Sequence, residues 1–198
     1  MTKIGVSVFF LVLLWSAINP KDYLTWLMET LPAMMGFIVL LMTRKCFPLT
    51  GLLYSLILIH CIILMIGGHY TYAEVPLFDW LKDNGIFARN NYDKVGHFAQ
   101  GFVPAMIARE IVIRNQVLHR QQWLNFFVVC VCLAISAFYE LIEWLVALLI
   151  GQNADAFLGT QGYIWDTQSD MAYALLGSIV ALFSLSRLHD LAIKRLEK

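Results

Sequence analysis

Long apolar stretches separated by short polar breaks set the terms for this chain. A bilayer core about 30 Å thick needs about 20 mostly apolar residues per helix. Six segments meet or approach that length. They are Ile4 to Ile18, ended by Asn19-Pro20; about Glu29 to Met42, after an amphipathic lead-in from Tyr23 to Met28; and about Leu49 to Gly67. The others are about Asp93 to Ile113, about Trp123 to Ile150 and about Thr167 to Leu188. The first two are short, and a tilted hairpin is the alternative to two clean spans. Alternating strands of barrel type are absent, so the segments are helices. The chain has 198 residues, 60% apolar and 14% charged. Soluble domains carry about 25% charged residues, so this apolar surplus belongs in lipid. Disorder is excluded by the same composition. Zero net charge and the lack of a dense basic run exclude nucleic acid as a partner. The expectation is an all-α polytopic membrane helix bundle with about six transmembrane helices. It forms a single integral membrane domain, 1–198, whose surrounding partner is the lipid bilayer.

Lysine and arginine orient such a bundle. Lys3, Arg44, Lys45, Arg109, Arg114, Arg120, Arg187, Lys194, Arg195 and Lys198 fall on one side, ten in all; Lys21, Lys82, Arg89 and Lys94 fall on the other. Both termini are therefore expected in the cytoplasm. The loops around Lys21, Lys82 and Asn153 are expected outside. Ile4 to Ile18 begins like a signal peptide, but no small-x-small cleavage site follows it, and it reads as uncleaved.

Four cysteines, Cys46, Cys61, Cys130 and Cys132, form no CxxC pair or disulfide framework and read as structural. Gly101 with Ala105, and Gly177 with Ala181, are small-xxx-small steps that let helix backbones approach closely. Pro104 is expected to bend its helix.

Packing does not explain the ionisable groups, which are costly inside a membrane. Asp93 and His97 are four apart, Glu140 and Glu143 three, Asp166 and Asp170 four. Each pair shares a helix face. At 1.5 Å per residue His97 and Asp170 lie about 6 Å inside their helices and Glu143 about 10 Å, all toward the outer side. So many carboxylates in one region repel unless protonated or neutralised by cations. Arg89 and Lys94 are too few, and Lys94, beside Asp93, is expected to point elsewhere. A divalent metal is the economical solution, with His97, Asp93, Glu140, Glu143, Asp166, Asp170 and His69 as candidate ligands. Glu140 and Glu143 are also the candidate catalytic carboxylates. Bland alternatives stand beside each: N-capping for Asp93 and Asp166, a loop hydrogen bond for His69, a satisfied core histidine for His97. His60 reads as structural and alone in its helix, and His119 and His189 as solvated. Trp144, Trp165, Tyr139, Tyr163 and Tyr173 surround the region as interfacial aromatics.

The chain resembles the YjdF-like family of bacterial inner-membrane proteins along most of its length. The most specific parts are Gly68-His69-Tyr70-Thr71-Tyr72, Asp93-Lys94-Val95-Gly96-His97-Phe98, Glu140-Leu141-Ile142-Glu143-Trp144 and Asp166-Thr167-Gln168-Ser169-Asp170-Met171. The resemblance implies a multi-pass protein of the bacterial cell inner membrane and carries no settled activity. More distantly, the last half is similar to VanZ-like proteins. Asp93, Lys94, His97 and Phe98 match the first part of that pattern, Glu140 the second and Asp170 the third. Glu143 stands where an amide is expected there, and no Arg shortly precedes Asp170.

Three functions compete. The first is a metal-dependent membrane enzyme acting at the outer leaflet on a lipid or lipid-linked envelope molecule. No nucleophilic serine motif or phosphate-cradling glycine loop offers another chemistry. The second is a structural or regulatory membrane protein held together by its polar cluster. The third is a proton-coupled transporter, although six helices without a repeat lack the inverted halves of many carriers.

Overall fold

The structure, a computed structural model, describes residues 2–150 and 161–196. The loop around Asn153 and the terminal Lys198 lie outside the described residues. Among those described there are seven α-helices and no strand. They are α1 (Lys3–Ser16), α2 (Tyr23–Thr43), α3 (Gly51–His69), α4 (Pro76–Asp83), α5 (Tyr92–Arg114), α6 (Leu124–Ile150) and α7 (Asp166–Leu196).

Local chemistry sets several starts. Thr2, Asp22 and Thr50 each accept the backbone N–H three residues on, with Asp22 to Thr25 at 2.6 Å. Pro76 opens α4, where its missing N–H costs nothing. The Asp22 cap also corrects one expectation. Tyr23 to Met28 is not a separate lead-in but the first turns of a continuous 21-residue α2. That gives α2 about 31 Å, enough to cross a bilayer. The final helix likewise runs past Leu188 to Leu196.

Four helices are long and apolar enough to cross a membrane: α2, α3, α6 with its preceding turn, and α7. The other two expected spans differ from them for separate reasons. α1 has only 14 residues. α5 has 23 but carries Asp93, Lys94, Arg109, Glu110 and Arg114. It is sheltered by α3, α6 and α7, so its sides face protein and need not be apolar. Outward-facing side chains are apolar instead, Phe183 on α7 being 93% exposed.

The closest seam joins α5 to α7. A Cβ on Gly101 would collide with the Ala174 backbone, and one on Gly177 with the Phe98 carbonyl. The two small-residue steps therefore do what their spacing predicted, backbone against backbone. Asp93 meets Asp170 at one end and Arg109 meets Asp190 at the other, so the two helices run parallel. α1, α2 and α3 form a second packed group around Phe9, Ala33, Phe37, Cys61 and Met65. The Phe9 and Phe37 rings stack there at 4.6 Å. The cysteines are free, Cys61 and Cys132 buried, Cys46 and Cys130 exposed.

The segment after α3 turns back sharply, with Thr71 and Tyr72 at φ 54° and 55°. The turn drops the Tyr72 ring into a slot between Gly67 and Gly96, where any Cβ would meet the ring. This is why the Gly67-Gly68-His69-Tyr70-Thr71-Tyr72 run is glycine-rich at its start.

Candidate functional site

Parallel register along the α5–α7 seam sets Asp93 and His97 against Asp166 and Asp170. His97 Nε2 lies 3.2 Å from Asp93 Oδ1 and 3.8 Å from Asp170 Oδ2. One ligand atom each from Asp93, His97 and Asp170 falls within 4.8 Å of the others. All three residues are buried. The N-cap of α5 is Asn91, so Asp93, in the first turn, is not its cap; Asp166 lies in the first turn of α7.

Lys94 corrects an expectation. It does not point away; its ammonium donates to Asp93 Oδ2 at 3.2 Å, to Asp166 Oδ1 at 2.9 Å and to Asp170 Oδ1. Neighbours on a helix diverge by about 100° at Cβ, but the four-carbon stem bends back toward α7, which both residues face. Arg89 donates to the same Asp166 Oδ1 at 2.6 Å and stands 3.9 Å from Asp93. The Tyr163 ring lies 4.9 Å from the Arg89 guanidinium, a cation–π contact. The carboxylates are thus divided atom by atom. Asp93 Oδ2 and Asp170 Oδ1 meet Lys94, whereas Asp93 Oδ1 and Asp170 Oδ2 face His97.

The other side of His97 faces α6. Its Nδ1 is 3.2 Å from Gln100 Oε1 and 3.8 Å from Glu140 Oε1. Glu140 is buried, and its Oε1 has no hydrogen-bond partner among the described residues. Glu143, one turn on, lines a cavity of about 220 Å³. That cavity is also lined by Asp93, His97, Gln100 and Pro104 of α5, Ile135 and Tyr139 of α6, and Tyr72. From α2 it takes Glu29 and Pro32, and from α3 His60 and Leu64.

The sequence spacing thus picked out Asp93, His97, Glu140, Glu143, Asp166 and Asp170, and the fold brings all six into one region. His69 is not brought there. Its Nδ1 stands 3.0 Å from the Ser16 carbonyl and its ring 4.7 Å from Trp15; it ties α3 to α1. Two residues were missed. Glu29 is buried on α2, and the Tyr139 hydroxyl donates to its Oε2 at 3.3 Å. His60 is not alone in its helix but faces the cavity, its Nε2 without a partner among the described residues.

A second buried polar cluster closes the other end of the seam, about 20 Å away at 1.5 Å per residue from His97 to Glu110. Glu110 has no exposed surface. It accepts from Thr50 N at 3.0 Å, Thr50 Oγ1 at 2.8 Å and Arg114 Nη1 at 2.9 Å, and His189 Nε2 lies at 2.9 Å. Arg109 donates to Asp190 at 2.7 Å and stands 3.1 Å from His189 Nδ1. His189, expected to be solvated, is completely buried, because α7 runs a full two turns beyond the expected end of its span.

Comparison with known proteins agrees with the membrane architecture. The sequence profile of the family described as "Predicted membrane protein (DUF2238)" matches residues 1–191. "Inner membrane protein YjdF" of Escherichia coli (strain K12) is 51% identical over 185 residues, covering 93% of this chain and 88% of that protein. No solved structure matches. With four apolar helices of spanning length, this is a multi-pass protein of the inner membrane, and it belongs to the DUF2238 membrane protein family.

Proposed function

We propose that the protein is a metal-dependent membrane enzyme acting on a lipid or lipid-linked envelope molecule. One observation carries this reading: Asp93, His97 and Asp170 converge on a common point at the wall of a cavity. An imidazole with two carboxylates suits a divalent ion such as Mn, Fe or Zn. Lys94 does not compete for that point, because it engages the opposite carboxylate oxygens. Gln100 Oε1 on Nδ1 is the kind of outer partner that leaves Nε2 free to ligate. The ion would supply a polarised phosphoryl or carbonyl oxygen, or an activated water. Glu143 faces the cavity and serves as general base. Glu140 Oε1 lies 3.8 Å behind the ring, on the Nδ1 side.

The test is elemental analysis of the protein purified in detergent, beside an Asp93→Asn, Asp170→Asn double variant. Near-stoichiometric metal in the parent and none in the variant is the expected result. No metal in either, after supplementation with Mn, Fe and Zn, sinks the reading.

A second reading has its own support. Lys94 bridges carboxylates of α5 and α7, as a cluster that merely fastens two helices would. In that case Asp170→Asn lowers thermal stability and changes no bound ion.

A further inference from the structure

The cavity beside His97 reaches mid-membrane depth. Pro32 and Ile135 line it from α2 and α6. Pro32 is the tenth residue of the 21 in α2 and Ile135 the twelfth of the 27 in α6. Both sit near the midpoints of helices that cross the membrane, at hydrocarbon depth. Ile135 nevertheless is 41% exposed, so one side chain touches both the cavity and the outside. α2 packs on α3, and α6 packs on α5 and α7; α2 and α6 share no packed seam among the described residues. What joins them is the Tyr139 hydroxyl on Glu29.

Glu29, Tyr139, Glu143, Asp93 and His97 lie toward the cluster end, and Pro104, Ile135 and the imidazole of His60 toward mid-helix. The cationic side chains of the cluster, Arg89 and Lys94, are directed to Asp166 and do not line the cavity. An ammonium entering there is favoured beside the carboxyl groups of Glu29 and Glu143, while a phosphoryl oxygen has its place at the Asp93–His97 end.

We infer that the cavity is a side pocket for a membrane lipid, entered from the hydrocarbon between α2 and α6. Its ammonium-bearing head group lies against Glu29 and Glu143, and a chain trails out past Ile135. This rests on the reading of the cavity as the substrate site and adds the entry route and the head-group class. The Tyr139–Glu29 hydrogen bond is the latch that the head group displaces.

Native mass spectrometry of the detergent-purified protein tests it, with phosphatidylethanolamine and phosphatidylglycerol added in equal amounts and metal content measured on the same sample. The parent is expected to retain phosphatidylethanolamine about tenfold over phosphatidylglycerol. Ile135→Trp plugs the mouth and loses the adduct, whereas Phe138→Trp, on the lipid-facing side at 64% exposure, keeps it. Glu29→Gln with Glu143→Gln removes the preference for the ammonium lipid. Equal retention of both lipids by the parent, or an unchanged adduct in Ile135→Trp of parental melting temperature, overturns the inference. Retained lipid in a metal-free protein upholds the pocket and defeats the metal enzyme; bound metal without retained lipid does the reverse.

Discussion

At one end of the α5–α7 seam, Glu110 receives four donors on its two oxygens. At the other, Glu140 keeps an oxygen with no partner among the described residues. Both glutamates are buried. The Glu110 cluster balances two carboxylates, Glu110 and the half-exposed Asp190, against two guanidiniums, Arg109 and Arg114, with Arg109 Nε unpartnered among the described residues. The His97 cluster sets Asp93, Asp166, Asp170 and Glu140 against Arg89, Lys94 and one imidazole, with Glu29 and Glu143 facing the adjoining cavity. A buried charge with all its partners is a fastening. A buried surplus of one sign, beside a cavity, has a use that the fold alone does not supply.

The largest effect is expected where satisfaction is most complete. Glu110→Ala strands Thr50, Arg114 and His189 together, and breaking a buried ion pair from one side costs about 3–5 kcal/mol. Thermal melting in detergent reads this, and divalent metal returned to stripped protein stabilises the variant no more than the parent. Lys94→Met comes next, at about 2–3 kcal/mol, smaller because Arg89 still meets Asp166. Here Mn or Zn returned to metal-stripped protein is expected to restore more of the melting temperature than it does in the parent, since the cation is then the main counter-charge for Asp93 and Asp170. If metal rescues Glu110→Ala equally, or fails to rescue Lys94→Met, the contrast between the two ends is wrong.

The third expectation concerns what the two ends share. Gly101 touches the Ala174 backbone midway along the seam. Gly101→Ala forces the helices apart, at about 1–3 kcal/mol, and backbone has no rotamer by which to yield. Both clusters depend on that spacing, so melting temperature and metal content fall together. A loss confined to one of them separates the clusters.

The readable part of this architecture was local. Asp93 with His97, Glu140 with Glu143 and Asp166 with Asp170 sit three or four apart, and a helix alone puts such pairs on one face. The apolar segments announced the bundle for the same reason. Partner choice was not readable. Gly101 and Gly177 each advertise a close face, but nothing in the spacing says that they face each other's helix. Glu29 escaped because it stands alone at the edge of what read as a lead-in, and its neighbours Tyr139 and Glu143 are more than 100 residues away. Lys94 was misjudged because its direction was argued from Cβ and its reach from nothing. The Glu110 cluster had one local signal, the i,i+4 pair with Arg114, whose arginine was counted only toward orientation. His60 and His189 were read as isolated because each is isolated along the chain.

The smallest stability effect should come from the residue with the clearest chemical assignment. Glu143 is half-buried, faces the cavity and makes no hydrogen bond among the described residues. Replacing it with the isosteric amide keeps its shape and breaks no hydrogen bond among the described residues. Glu143→Gln is therefore expected to shift stability by less than about 0.5 kcal/mol. Metal content should stay at the parental level, because Asp93, His97 and Asp170 supply the ligand atoms. Turnover of any lipid substrate should fall by about two to four orders of magnitude, as for loss of a general base. Melting temperature and metal content can be measured before a substrate is known. A large drop in either moves Glu143 out of the chemistry and into the framework, and makes the His97 end of the seam a second version of the Glu110 end.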